Sequence, residues 1–258
     1  MTTLDREPGA AGPNVLIVGA TSAVAQAVAR RLVRRGWNLF LAARDVAALE
    51  ALAADLRVRG GTQVVTGRFE AGGVAPSETW TAAVGAFPRG LDGILVCHGY
   101  LPDERAGLLG SDEIRRTIEV NFTSVAVLLG AAAEYFADRR RGFIAAISSV
   151  AGDRGRQSNF CYGAAKAGLT AYLSGLRNRL HPRNVHVLTI KPGIIDSPMT
   201  RGIEVGPKPL VATPDRVAAD IERAILRRRD TVTTPWFWRP IMGVIKAIPE
   251  RIFKRMKL

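Results

Sequence analysis

The stretch VLIVGATSAVAQAVARRL, Val15 to Leu32, decides the fold. An apolar run ends at Gly19, two hydroxyl residues follow at Thr21 and Ser22, and apolar side chains then recur at helical spacing. This is a strand, a tight turn and a helix, the arrangement that holds a dinucleotide pyrophosphate against free helix N–H groups. Glycines in such a turn allow the bend, the close approach of the phosphates and the packing of helix on strand. Only Gly19 is present here, and Ala23 and Ala25 stand at the later glycine positions with the smallest side chain that carries a Cβ. A methyl group is tolerated where φ is negative. Gly19, Thr21, Ser22, Ala23 and Val24 are therefore expected to form a cofactor turn, with Thr21 or Ser22 capping the helix.

Working outward, NVLIVG, WNLFLAA, TQVVTG, LDGILVCHG, GFIAAISS and NVHVLTIKPG are short runs of strand character beside helix-length segments. Their alternation implies right-handed βαβ units around a parallel sheet with helices on both faces, an α/β fold. A chain of 258 residues with 47% hydrophobic content is long enough for one sizeable core. One domain is expected over residues 1–233, and from residue 234 to 258 the texture changes to an aromatic, basic tail. No targeting signal is read at the start, and no apolar run approaches the roughly 18 to 20 residues of a spanning helix. Cys97 and Cys161 lack paired spacing, which argues against a disulfide framework or a metal site and suits a reducing cytoplasm. A net charge of +13 attracts phosphates. Helix faces such as RRLVRR and LRRRD account for much of it, and no recognition module points to nucleic acid.

The second strand ends LFLAARD, where a dinucleotide protein places the group that reads the adenosine ribose. Arg44 stands there, suited by charge and geometry to the 2′-phosphate of NADPH in preference to NADH, or else an ordinary loop arginine. Further on, AAISSVAGDRGRQSNFCYGAAKAG brings the chemistry. Tyr162 and Lys166 lie one turn apart and share a helix face. A neighbouring ammonium is expected to lower the tyrosine from its usual value near about 10, making Tyr162 a general acid toward a carbonyl. Ser149, at the end of the preceding strand, can hydrogen-bond the same oxygen.

With these segments and KPGIIDSPM together, the sequence resembles the short-chain dehydrogenase/reductase family over essentially its whole length. The resemblance implies a Rossmann sheet of order 3-2-1-4-5-6-7 and catalytic roles for Asn121, Ser149, Tyr162 and Lys166, with Asn121 supporting a proton-resupplying water chain. It implies that Lys166 holds the nicotinamide ribose and that Pro192, Gly193, Ile194 and Ser197 grip the carboxamide. Gly99 matches the glycine of the family's NNAG segment near the adenosine, whereas Val96, Cys97 and His98 replace its other residues. His98 reads as a packed strand-end residue. The resemblance further implies a homo-oligomer.

Within the family, AGDRGRQSNFCYGAAKAGL, IKPGIIDSPM and IPERIFKRMKL are similar to the reductases of decaprenylphosphoryl 2-keto-pentoses. A lipid-linked keto-sugar substrate and a partner flavin oxidase that makes the ketone follow from that likeness, with a soluble ketone, an acyl thioester or a non-catalytic dinucleotide sensor as alternatives. The tail mixes Trp236, Phe237, Trp238 and Ile252 with Arg239, Lys246 and Arg251, as suits a peripheral contact at the cytoplasmic membrane face. The same tail can instead pack over the active site or across a subunit interface. Pro240 and Pro249 are expected to break it into short helices. Arg154 and Arg156, between Ser149 and Tyr162, are candidates to meet a substrate phosphate.

Overall fold

The computed structural model describes residues 12–60, 63–73, 76–104, 107–200 and 208–256. The chain alternates β1 (Asn14–Val18), α1 (Ala23–Val33), β2 (Asn38–Ala43), α2 (Val46–Val58), β3 (Val64–Arg68), α3 (Pro76–Gly85) and β4 (Gly93–Val96). Next come α4 (Ser111–Ile118), a π-helical turn (Glu119–Thr123), α5 (Ser124–Arg139), β5 (Phe143–Ile147), α6 (Phe160–Leu180) and β6 (His186–Pro192). Two short strands, β7 (Ile194–Ile195) and β8 (Val211–Ala212), precede α7 (Pro214–Leu226), β9 (Thr231–Thr234), α8 (Trp238–Ala247) and α9 (Glu250–Phe253).

The sheet is parallel, with order β3-β2-β1-β4-β5-β6-β9, which is the expected Rossmann order with β9 as seventh strand. Every residue of β1 and β2 is buried, because helices cover both faces. On one face Val15 and Ile17 meet α1, α2 and α7; on the other Leu16 and Val18 meet α3, α5 and α6. Helix starts follow from local chemistry: Ser22 Oγ accepts from Ala25 N at 3.3 Å, Asp45 Oδ1 from Ala48 N at 2.9 Å, and Thr213 Oγ1 from Arg216 N at 3.3 Å. Buried Glu222 on α7 pairs with Arg31 of α1 and Arg35 in the turn after it, so part of the basic charge is spent within the fold.

The tail packs back on the domain. Trp238 and Met242 of α8 are buried against Val150, at the end of the sheet where the strands finish. Pro240 does not break α8 as expected from sequence. It sits in the first turn, where its missing N–H would have had no intrahelical partner. Pro249 does separate α8 from α9.

Candidate active site

A cleft of about 1310 Å³ opens along the carboxyl ends of the strands. At one end β1 turns into α1 through Gly19, whose φ of 75° favours glycine and whose added Cβ would stand 2.5 Å from His98 N. The first turn of α1 follows, and its leading N–H groups face the cleft with Thr21, Ser22, Ala23 and Val24 in the lining. Of the two expected caps, Ser22 performs the role. A cradle of this kind, open over a helix N-terminus, fits a dinucleotide pyrophosphate. Beside it Arg44 stands exposed at the rim, while the acid that follows it, Asp45, is committed to the α2 cap. His98 packs at a tilt against Phe69 and takes a hydrogen-bonding contact with Ser124 at 3.1 Å. Burial, with Lys166 and Arg44 adding to it, pushes His98 down to about 3, so it is a neutral packing residue.

At the other end of the cleft stand Ser149, Tyr162 and Lys166. Of the two serines closing β5, Ser148 is structural: its Oγ donates to Lys166 O at 2.9 Å and pins α6 to the strand end. Ser149 turns into the cleft and hydrogen-bonds Tyr162, its Oγ also accepting from Ala151 N at 3.0 Å. Lys166 is 2% exposed, and its ammonium donates to Ile147 O at 3.0 Å and lies 5.7 Å from the Tyr162 ring centre.

The electrostatics correct the sequence argument. Burial pushes Tyr162 up to about 12, opposed by the Ser149 hydrogen bond. The ammonium does not lower it. Burial instead acts on Lys166 itself, bringing it down to about 8. The physical reason is that both groups sit where the charged form is poorly solvated, and each keeps or sheds its proton accordingly.

Asn121 lies in the π-helical turn between α4 and α5. Its Nδ2 donates to Tyr100 O at 2.7 Å and Thr117 O at 2.9 Å, and its Oδ1 accepts from Tyr100 N at 3.1 Å. A Cβ on Gly99 would stand 3.1 Å from Asn121 Oδ1 and 3.6 Å from Lys166 Nζ, so the glycine leaves the space between them open. Pro192, Gly193, Ile194 and Ser197 line the same end, where β7 pairs with β8. Ser197 shares its hydroxyl with Thr200 at 3.4 Å.

The two arginines expected to meet the substrate part company. Arg156 lines the cleft, whereas Arg154 is absent from the lining and grips the tail. Its Nη1 donates to Ile245 O at 2.7 Å and Ile248 O at 2.6 Å, its Nη2 pairs with Glu250 at 3.0 Å, and its guanidinium lies 3.6 Å from the Phe253 ring centre. With those donors occupied, Arg154 holds the tail in place of a substrate phosphate.

Two further lining residues stand outside the expected set of site residues. Glu104, 4% exposed, caps α6 from the loop after β4, its two oxygens accepting from Cys161 N at 2.7 Å and Tyr162 N at 2.8 Å. Trp238 enters the cleft from the tail and lies so close to Gly193 that any Cβ there would overlap its indole. Neither carries a motif, because each acts on a segment remote in sequence.

Comparison with known proteins gives a consistent result. The family model for short chain dehydrogenases matches residues 13–207. An uncharacterised oxidoreductase of Mycobacterium tuberculosis is 33% identical over 242 residues, covering 94% of this chain and 96% of its own. One from Streptomyces coelicolor is 34% identical over 255 residues, covering 96% and 98%. Among solved structures, a short-chain dehydrogenase from Sphingobium yanoikuyae in complex with NADPH superposes with a TM-score of 0.78 at 26% identity, covering 92% of this chain and 97% of its own. A 3-oxoacyl-[acyl-carrier protein] reductase with bound NAD from Brucella melitensis gives 0.75 at 22% identity, with 91% and 96% covered, a likeness of fold.

Proposed function

The chain belongs to the short-chain dehydrogenase/reductase family and is an NAD(P)-dependent oxidoreductase, and from that premise we propose that it reduces a phosphorylated keto-sugar to the alcohol with NADPH. The observation that carries this reading is the presence of Ser149, Tyr162 and Lys166 in one cleft with the α1 N-terminus. Gly19, Thr21, Ser22, Ala23 and Val24 would hold the pyrophosphate, Arg44 the 2′-phosphate, and Gly99 would face the adenosine side. Pro192, Gly193, Ile194 and Ser197 would hold the carboxamide, and Lys166 the nicotinamide ribose. When bound, the nicotinamide supplies a hydride for the carbonyl carbon.

The protein's own part is to hold the carbonyl and deliver its proton. A phenol at about 12 keeps its proton at neutral pH, so Tyr162 starts as the acid that reduction requires. Ser149 offers the same carbonyl oxygen a second hydrogen bond as negative charge grows there. Lys166, charged at neutral pH, stabilises the phenolate left behind, and its value of about 8 lets it pass on a proton through water beside Asn121. Arg156 supplies the cation for the phosphate.

A polyprenylphosphoryl 2-keto-pentose is the finer form of this substrate. It is supported by the tail, which exposes Trp236, Val244, Ile252 and Met256 among Arg239, Lys246, Arg251, Lys254 and Arg255, a mixture suited to anionic lipid at the cytoplasmic membrane face. To test the reading, the full chain is mixed with NADPH and D-ribulose 5-phosphate, D-ribulose or cyclohexanone, and loss of NADPH absorbance is followed. Faster turnover of the phosphorylated ketose is expected. Oxidation of NADPH with none of the three would contradict ketone reduction, and equal rates with all three would contradict the sugar phosphate.

A further inference from the structure

The net charge of +13 does not reside in the cleft, whose lining holds more carboxylates than cations. It gathers at the opposite end of the sheet. In a parallel sheet the helix-to-strand connections all return to the amino ends of the strands, about 16 Å from the cleft along the five residues of β5. The six connections from α1–β2 to α7–β9 hold ten arginines against two acids, Asp92 and Asp230, so this end is strongly basic. Complementing the helix macrodipoles accounts for part of it. Roughly half an elementary charge at a helix carboxyl end does not call for three arginines in a row, as at Arg139 to Arg141 and Arg227 to Arg229.

The two halves of this edge differ. Beside β2 and β3, Arg35 meets Glu222 and Arg59 meets Asp55. From β4 to β9 three arginines meet carbonyl groups instead. Arg139 Nη2 donates to Arg89 O at 2.7 Å, Arg140 Nη2 to Pro182 O at 3.2 Å and Arg228 Nη2 to Asn184 O at 3.3 Å, while Asn184 Nδ2 donates to Arg140 O at 3.4 Å. These bonds stitch four neighbouring connections into one belt, and a bond to a neutral carbonyl leaves each guanidinium charge in place. Arg141, Arg183, Arg227 and Arg229 are exposed and make no ion pair among the described residues. Of the two acids, Asp92 accepts from Asn14 N at 3.0 Å and Asp230 faces Arg177 at 3.6 Å.

Two further observations set the belt apart from a solvated surface. Arg140 and Arg228 hold φ values of 49° and 48°, a region where glycine costs least, so the chain carries arginine there against local preference. Strands β4, β5 and β6 also start level, with Gly93 opposite Phe143 and Phe143 opposite His186. The belt therefore runs straight across strands about 4.8 Å apart.

We infer that this belt binds a linear chain of phosphates, inorganic polyphosphate, along the amino edge of β4, β5, β6 and β9, with Arg140, Arg141, Arg183 and Arg228 as its main cations. Phosphate oxygens accept single N–H donors from several directions, which suits guanidinium groups with one end tied to a carbonyl. A carboxylate is best served by a fork with both ends free. A nucleic acid needs an open aromatic face for its bases. Tyr135, in the adjoining concavity of about 460 Å³, offers none: the Arg139 guanidinium lies 5.0 Å from its ring centre and Trp80 packs edge-on at 5.4 Å. Arg89, Arg139 and Arg141 border that concavity and anchor the chain at the β4 end. The inference stands apart from ketone reduction, since it uses no residue of the cleft.

The test is calorimetric titration of sodium polyphosphate into the full chain at several salt concentrations. The wild type is compared with the double variant Arg140→Gly, Arg228→Gly and with a control, Arg115→Gln, Arg216→Gln, which removes the same formal charge from exposed positions on α4 and α7. Glycine accepts the backbone angles of both belt positions, and an unchanged Kd for NADPH verifies the fold. The belt variant is expected to bind polyphosphate about tenfold more weakly near 0.15 M salt and to lower the slope of log Kd on log salt by about one to two, as for two lost phosphate contacts. The control is expected to bind as the wild type does.

Equal losses in the two variants would reduce the effect to net charge and overturn the proposal. Poly-L-glutamate or an oligothymidylate binding the wild type as tightly as polyphosphate overturns it in favour of an acidic protein or a nucleic acid. Polyphosphate binding no tighter than orthophosphate also overturns it, because the belt then recognises no chain.

Discussion

At the scale of single residues, the pairing of Tyr162 and Lys166 was legible because four positions along a helix return to one face, whatever the fold around it. Their proton affinities were not legible, since spacing carries no information on solvation. The consequence is a pH dependence with a definite sign. Lys166 acts protonated, and its depressed value means that it loses the proton as pH rises through about 8. The kcat/KM for reduction is therefore expected to be level below that pH and to fall above it, while the reverse oxidation, which needs the phenolate, rises. A pH profile of Lys166→Arg should show the falling limb displaced upward, and an unmoved limb would remove Lys166 as its source. Stability follows the same linkage. Between about 8 and 10.5 the unfolded lysine binds more proton than the folded one, so stability rises with pH across that window. Lys166→Met, which removes a buried amine bonded only to Ile147 O among the described contacts, should abolish reduction with a Tm equal to or above that of the wild type. Arg44 is the other residue whose role can be measured alone. NADPH should raise the Tm more than NADH in the wild type, and Arg44→Ala should erase the difference. Stronger stabilisation by NADH would contradict the assignment.

Among the elements, the six long strand runs and the helices between them were legible because buried parallel strands are written as continuous apolar runs. Strand β9 was not read from its own residues, since TVTT is short and half polar; only its pairing with β6, Thr189 opposite Thr231 through Pro192 opposite Thr234, makes it a strand. The start of α6 is the more consequential case. Its natural cap residue, Asn159, leaves the work to Glu104, and a bond that spans 57 residues of sequence has no local signature. Removing it leaves two N–H groups of the catalytic turn unpaired. Glu104→Ala is expected to lower stability by about 1 to 2 kcal/mol, in the range of a lost helix cap, and to reduce kcat more than it raises KM because Tyr162 is one of the two residues released. Denaturant unfolding and steady-state kinetics on one preparation check both; a loss of stability with unchanged kcat would reduce Glu104 to a structural cap. The turn at Gly19 shows the opposite situation. Its missing glycines raised a question that the backbone answers simply, because only Gly19 has positive φ and α1 begins at Ala23 with ordinary helical geometry.

For the whole molecule, the tail is where sequence and structure differ most. Composition alone left membrane contact and packing on the domain as equal alternatives, and the fold divides the tail between them. Trp238 and Met242 are buried, while Trp236 is 69% and Ile252 56% exposed. Arg154 could not have been assigned from sequence to this junction, since its partners on α8 lie more than 90 residues away. If the exposed face meets lipid, the full chain should float with vesicles containing anionic phospholipid, and the double change Trp236→Ser with Ile252→Ser should abolish flotation without altering Tm; flotation unaffected by the change would place the contact elsewhere. The joined stretch Ser111–Arg139 is apolar and long enough to cross a bilayer by length and composition, yet Val125, Leu128, Leu129 and Phe136 of that stretch are spent in the core. The reaction proposed for this chain depends on a tyrosine giving its proton to a carbonyl beside the nicotinamide site. Comparing Tyr162→Phe with the wild type is the most direct test, with NADPH affinity and single-turnover NADPH oxidation measured on the same samples. The account predicts an unchanged Kd for NADPH and a rate lower by about 10² to 10⁴, the span of a lost general acid; oxidation at an undiminished rate would contradict it.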